Sequence, residues 1–231
     1  MTKRPLFKLN PRLKLCAEYV NKGSKIVDIG TDHAYLPIWL AKSGKIEAAI
    51  AADLRQGPLQ SAYSNIEKYN VSDKVKVRLS DGFANINEDE FDIAILAGMG
   101  GNLICDIISK SPWLKYKTLI IQPMTSIFEL REFLYQENYI VNDERAVQDD
   151  GKVYTVMLIK PTDKSAQYDE LYPYIGLLYN NIDVDSKKYI EKEIIHLNNK
   201  IKGFTSTQNY EEVQTLNSII SKLKTYLEKD C

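Results

Sequence analysis

No run of about 18 apolar residues occurs in this chain, so no transmembrane helix is expected. The basic segment Met1 to Asn10 is not followed by an apolar stretch of the kind a secretory signal needs. Cysteine is scarce. Cys16, Cys105 and Cys231 share no metal-ligand spacing and cannot form an even set of bridges, which makes a reducing, cytoplasmic compartment the default. The only histidines are His33 and His196, far apart in the chain, so no metal site is expected. The motif G-x-G-x-x-G is missing after the first strand, which argues against a nicotinamide-dependent oxidoreductase. Neither charge sign dominates: 30 Lys and Arg stand against 31 Asp and Glu, a net charge of −1. The chain as a whole therefore does not read as a strongly basic nucleic-acid binder. What remains is ordinary globular material, 231 residues with 44% apolar and 26% charged. That is enough for one good-sized core with a small appendage.

The pattern along the chain alternates. Asn10-Pro11 offers an N-cap and a first-turn proline, and Leu13, Cys16, Ala17 and Val20 follow at helical spacing. Short apolar strands are expected at 25–29, 48–52, 75–79, 91–96 and 118–121. Helices are expected between and after them at 36–42, 59–69, 103–109 and 127–136. Two last strands, about 139–147 and 153–160, flank Asp149-Asp150-Gly151, an Asp-Gly hairpin turn. Strand and helix in alternation mean an α/β fold, a parallel sheet covered on both faces, here with an antiparallel hairpin at one edge. Pro161 to Lys164 reads as a linker. Beyond it Leu171, Ile175, Leu178 and Ile182 recur at steps of 4, 3 and 4, as do Ile190, Ile194, Leu197 and Ile201; Val213, Leu216, Ile220, Leu223 and Leu227 do much the same. This predicts a coiled-coil-like helical hairpin, turned near Gly203, with one helix before it. The expected units are residues 1–160 and a helical domain at 165–231. Removing the second should leave a folded first unit.

In an open α/β sheet, ligands bind at the carboxyl ends of the strands. Three acids stand there at intervals of about 25 residues, one per βα unit: Asp28 before Gly30, Asp53 after the second strand, and Asp81-Gly82 after the third. Asp28 can accept bonds from loop amides or a ligand amine, Asp53 can take both hydroxyls of a ribose, and Asp81 can accept from an adenine amino group. Strand-end Asp is also a common turn residue, but three in register fit an adenosine ligand.

The stretches IVDIGTDHAYLP (26–37), AADL (51–54), LSDGF (79–83), AGMGG (97–101) and IQPM (121–124) resemble the TrmK family, the bacterial tRNA (adenine-22-N1)-methyltransferases. The likeness covers nearly the whole chain. It implies a class I, Rossmann-like methyltransferase fold, S-adenosylmethionine as cofactor, and methylation of N1 of an adenine in the D-arm region of tRNA. The implied cofactor set is Asp28, Gly30, Thr31, Asp53, Leu54, Asp81, Gly82, Ala97 and Gly98. The implied catalytic set is Asp32, His33, Gly98, Met99, Gln122 and Pro123. Two departures from the wider class stand out. Asp32 and Ala34 replace later glycines of D-x-G-x-G-x-G, and Gly98-Met99-Gly100-Gly101 replaces the Asn/Asp-Pro-Pro-aromatic motif of amino-methyltransferases. Alternative readings are a methyltransferase acting on another RNA or a small molecule, and a non-catalytic RNA-binding module on the same fold.

Adenine N1 keeps a lone pair at neutral pH, so the chemistry asks for alignment rather than a strong base. RNA contact must come from a local patch. Residues 1–15 hold Lys3, Arg4, Lys8, Arg12 and Lys14 and no acid, whereas residues 161–231 hold nine lysines against eleven acids. The expected phosphate contacts are therefore Arg12, Lys14 and Lys8, with the lysines on one face of the tail next in line. Arg12 can equally pair with an acid on the domain. His33 orients substrate or bonds its own loop. The partners expected are tRNA and no membrane or metal, for a monomeric chain.

Overall fold

The computed structural model describes residues 6–162 and 167–228. Lys3, Arg4, Cys231, the second half of the expected linker and the expected boundary at Ser165 lie outside the described residues.

Helix α1 (Pro11–Tyr19) starts as its sequence dictates. The Asn10 side chain accepts from the Leu13 N–H at 2.9 Å, and Pro11 occupies the first turn, where its missing N–H costs nothing. There follow β1 (Ser24–Ile29), α2 (Tyr35–Lys42), β2 (Ile46–Asp53), α3 (Gln56–Lys68), β3 (Val75–Leu79), β4 (Ile93–Gly100), α4 (Gly101–Ser109), β5 (Thr118–Thr125), α5 (Ile127–Gln136), β6 (Val141–Asp149) and β7 (Lys152–Ile159). The strands lie in the order β3-β2-β1-β4-β5-β7-β6. β1 to β5 run parallel, and β7 is antiparallel to both neighbours. Two residues close the β6–β7 hairpin. Asp150 (φ 49°) and Gly151 (φ 71°) are both left-handed, the conformation that matches the twist of a tight hairpin.

Period-two alternation builds two apolar layers from the same strands. Val27, Ile29, Ala94, Leu96, Leu119 and Ile121 face α4 and α5. Ile26, Ile93, Ile95 and Ile120 face α1, α2 and α3. The strand order reverses between β1 and β4, which opens a crevice at the carboxyl ends of those two strands. β4 and β5 run further than expected. The Gly98–Gly101 stretch, beyond the expected strand at 91–96, belongs to β4 as far as Gly100, and register shifts flank Met99 where it pairs with β5.

The tail departs from its expected outline at two places. Leu171–Ile182 is not one helix but a short α6 (Tyr172–Ile175) and a single 3₁₀ turn at Leu178–Asn180. Pro173 and Gly176 account for the break. Gly176 has φ 55° and ψ −135°, and a Cβ there would run into the Glu144 carboxylate, so only glycine fits. Gly203 does not turn the chain. It lies inside α7 (Val184–Ser206), and the reversal comes at 207–209, where Gln208 takes φ 58°. Asn209 then caps α8 (Tyr210–Leu227). Ile190, Ile194 and Leu197 pack on Leu216, Ile219, Ile220 and Leu223, so the helical pair has an apolar seam of its own. It is also fastened to the sheet. Arg131 of α5 and Glu144 of β6 form an ion pair at 2.6 Å with both side chains fully buried. Arg131 Nη1 donates to the carbonyls of Pro173 and Tyr174 at 3.1 and 2.7 Å, and the Leu177 N–H donates to Glu144.

Candidate active site

Gly30 begins the crevice. Its φ of 74° is open to glycine, and a Cβ there would stand 3.2 Å from Met99 Sδ, so the Met99 side chain lies close against the backbone at Gly30. The loop that follows is fixed to β2, because the Gly30 and Thr31 N–H groups both donate to the Ala52 carbonyl, at 2.8 and 2.9 Å. Ala34 (φ 54°) turns the chain into α2, and Asn65 of α3 donates to the His33 carbonyl at 3.1 Å.

Asp28 points from β1 into this region and is buried. Burial drives its carboxyl from 3.8 up to about 7, a bond from Thr31 pulls the other way, and the charge of Asp53 adds to the rise. Asp53, also buried, accepts from the Arg55 N–H at 2.8 Å and from Arg55 Nε at 3.5 Å, both on Oδ1. Among the described residues nothing donates to its other oxygen. Its carbonyl takes the Ser80 N–H at 3.0 Å, which aligns the end of β3. There Asp81 is exposed, Gly82 has φ 53°, and Leu54 is 62% exposed at the end of β2.

A cavity of ≈ 340 Å³ opens where β1 and β4 diverge. It brings together Asp28, Gly30, Thr31, Asp32, His33, Ala97, Gly98 and Arg12. Asp53, Leu54, Asp81 and Gly82 lie outside it, along the ends of the adjoining strands. Asp32 is exposed and meets His33 Nε2 at 3.3 Å; the His33 ring lies 5.3 Å from that of Tyr35.

Gln122 and Pro123 do not line the cavity. Both are buried in β5 beneath it. The Gln122 amide is held at both ends: Oε1 accepts from the Gly98 N–H and from Arg12 Nη1, each at 3.1 Å, and Nε2 donates to the Pro123 carbonyl at 2.8 Å. Arg12 is turned inward. Its Nε donates to Asp149 at 2.6 Å, Nη1 also meets Met124 Sδ at 3.0 Å, and the guanidinium covers the Tyr154 ring at 4.9 Å. Of the two partners open to it, phosphate or an acid on the domain, it lies on the acid. Lys8 and Lys14 are exposed.

Sequence reasoning missed Asn10, Leu13, Tyr35 and Met124 as lining residues. The first two were read only as the start of a helix. Met124 stood in the IQPM stretch without a role. Among the described residues no group of three His, Cys, Asp or Glu is placed to hold a metal, and no helix is long and apolar enough to cross a membrane.

A family model described as a methyltransferase domain matches residues 9–157. The tRNA (adenine(22)-N(1))-methyltransferase of Bacillus subtilis is 38% identical over 173 residues, covering 74% of this chain and 73% of that one. The crystal structure of the B. subtilis tRNA methyltransferase TrmK aligns with a TM-score of 0.84 at 30% identity, over 97% of this chain and all of the other. A Streptococcus pneumoniae structure in complex with S-adenosyl-L-methionine aligns with a TM-score of 0.82 at 30% identity, over 94% and 98% of the two chains.

Proposed function

The chain belongs to the tRNA (adenine(22)-N(1))-methyltransferase family, and we propose that it moves a methyl group from S-adenosylmethionine to N1 of adenine 22 in tRNA. The observation that carries this reading is the row of strand-end groups at the β1–β4 crevice. Among the described residues, one oxygen of the buried Asp53 carboxylate has no donor, which suits a ribose diol. Beside it, Gly30 and Gly98 leave the backbone bare over a cavity bordered by Asp28, which suits a ligand bearing positive charge. The donor set therefore fits an adenosyl cofactor.

Asp53 takes the ribose hydroxyls, with Leu54 against the adenine face and Asp81-Gly82 at its amino edge. Asp28, Gly30, Thr31, Ala97 and Gly98 hold the methionine portion. S-adenosylmethionine supplies the activated methyl on its sulfonium. The protein aligns the acceptor nitrogen with that methyl and keeps the base out of its stack. Gly98 falls between two ladder partners, Ala97 with Gln122 and Met99 with Pro123. Its N–H is taken by Gln122, so its carbonyl is the group to receive the adenine amino group. Gln122 and Pro123 act through Gly98 and are positioning residues. Arg12 secures Gln122 in turn. Asp32, His33 and Met99 border the place where the base enters, and Lys8 and Lys14 meet phosphates at the rim.

Free, protected Cys16 and a tRNA substrate support the cytoplasm. The chain divides near residues 161–165 into a methyltransferase unit (1–160) and a helical unit (165–231).

The test is methyl transfer from labelled cofactor to unmodified tRNA, with the product mapped by reverse transcription. N1-methyladenine has lost its pairing edge, so extension should stop next to adenine 22. Transfer to another nucleotide would refute the substrate assignment. Cofactor binding without transfer to any RNA would favour a binding module.

A further inference from the structure

We infer that the groove between the β6–β7 hairpin and α7 is the track along which the RNA backbone reaches the methyl-transfer site, its phosphates held by Lys152, Lys188 and Lys192. The inference rests on the tRNA reading above and adds a surface to it.

The groove has a volume of ≈ 780 Å³. Met124 lines both the groove and the cofactor cavity, so the two spaces share a wall. Lys188 and Lys192 are one helical turn apart on α7, and the same face continues through His196 to Lys200. Lys152 opposes them from the first position of β7. All three lysines are exposed, and among the described residues none is ion-paired with an acid.

Two of the ammonium groups are steered by neutral acceptors instead. Lys188 donates to Gln148 Oε1 at 2.6 Å, and Lys192 donates to the Val153 carbonyl at 3.2 Å. Among the described residues Glu191 is the one acid lining the groove, which leaves a surplus of positive charge there. Ile195, 63% exposed, gives the same wall an apolar patch. Lysines outside any ion pair, beside an exposed apolar side chain, match a polyanion whose bases are partly splayed. A nucleotide extruded from this track would pass Met124 on its way to the crevice.

The test uses the full-length protein with unmodified tRNA and compares three forms: wild type, the triple variant Lys152→Gln/Lys188→Gln/Lys192→Gln, and a control, Lys110→Gln/Lys115→Gln, at the opposite end of the sheet. Each form is first shown to bind cofactor with wild-type affinity and to melt cooperatively. For the triple variant, the slope of log affinity against log salt should flatten by roughly two to three, and KM for tRNA should rise at least tenfold with kcat nearly unchanged. The control should keep the wild-type slope. A triple variant with wild-type slope and KM, while the wild type methylates adenine, would overturn the track alone. So would a control that flattens as much as the triple variant. A wild type that neither binds nor methylates tRNA would overturn the functional reading and the track together.

Discussion

Replacing Asp28 with asparagine removes a carboxylate whose ionisation the fold opposes. In the unfolded chain this group titrates near 3.8, and burial raises it to about 7 in the native state. Each pH unit between those values is worth about 1.4 kcal/mol, so the ionised native form carries a cost of about 4 kcal/mol at most. The sign follows from proton counting. Below pH 4 both states hold the proton and there is no cost. Between pH 4 and 7 the native state holds more protons than the unfolded one, so stability falls as pH rises, and above 7 the loss is complete. Asp28→Asn should therefore melt higher than wild type at pH 8. The gain is about 2–4 kcal/mol once the weakened bond to Thr31 is allowed for, or roughly 4–16 °C for a chain of this length. The advantage should shrink as pH falls toward 4. The cofactor reverses the comparison, because a cationic ligand favours the ionised carboxylate. Wild-type affinity should weaken about tenfold per pH unit below 7, while the variant binds weakly at every pH. Thermal melts of the ligand-free proteins from pH 4.5 to 8.5, with calorimetric titrations of cofactor over the same range, measure both effects. Equal melting points at pH 8 together with a pH-independent wild-type affinity would refute the assignment of Asp28.

Asp53→Ala should weaken cofactor binding by about 1.5–3 kcal/mol without unfolding the chain; unchanged affinity by calorimetry would remove Asp53 from the ribose. Arg12→Gln should lower kcat by loosening Gln122 and Gly98 yet leave the salt dependence of tRNA binding alone, whereas a slope flatter by about one would mean that Arg12 holds a phosphate after all. Arg131→Met leaves Glu144 buried without its cation and should cost about 3–5 kcal/mol in denaturant unfolding; a loss under 1 kcal/mol would show that water reaches the pair. The same pair changes the expectation for a chain ending at residue 160, which would lose the Pro173 and Tyr174 carbonyls and the Leu177 N–H. That truncated chain should fail to give a cooperative melt, and a wild-type melt would refute the argument.

The sheet and its reading frame were legible because they are written in local periodicity. Alternating apolar residues at 26–29, 93–96 and 119–121 serve both faces of the parallel sheet, and Asp150-Gly151 sets the hairpin turn without outside help. The strand-end acids follow a related spacing: Asp28 lies level with Ala51 and Asp53 level with Leu79, so each acid stands two residues further along than the one before it. The partners of Arg12 were not legible. Asp149 lies 137 positions away in sequence, and nothing near Arg12 records which strand of the hairpin will stand above it. Arg131 and Glu144 were equally silent, since each sits in a stretch whose neighbours look like ordinary surface. Only the packing of α6 and α7 over them makes the pair buried.

The tail shows how a composition can point away from a surface. Nine lysines against eleven acids over residues 161–231 describe a segment that repels phosphate on average. A helix, however, distributes residues by angle, and those four apart share a face. On α7 the positions 188, 192, 196 and 200 collect three lysines and a histidine, while α8 opens with Glu211 and Glu212 in its first turn. The acids of α8 suit the positive end of its own dipole and need no external partner. Lys188 and Lys192 of α7 stand past its first turn, where no negative helix end holds them. A phosphate backbone therefore sees one face of one helix rather than the mean of two. What favours this face over the N-terminal lysines as the track is that Lys188 and Lys192 share a groove with Met124, whereas Lys8 and Lys14 line neither that groove nor the cofactor cavity and meet phosphates only at its rim.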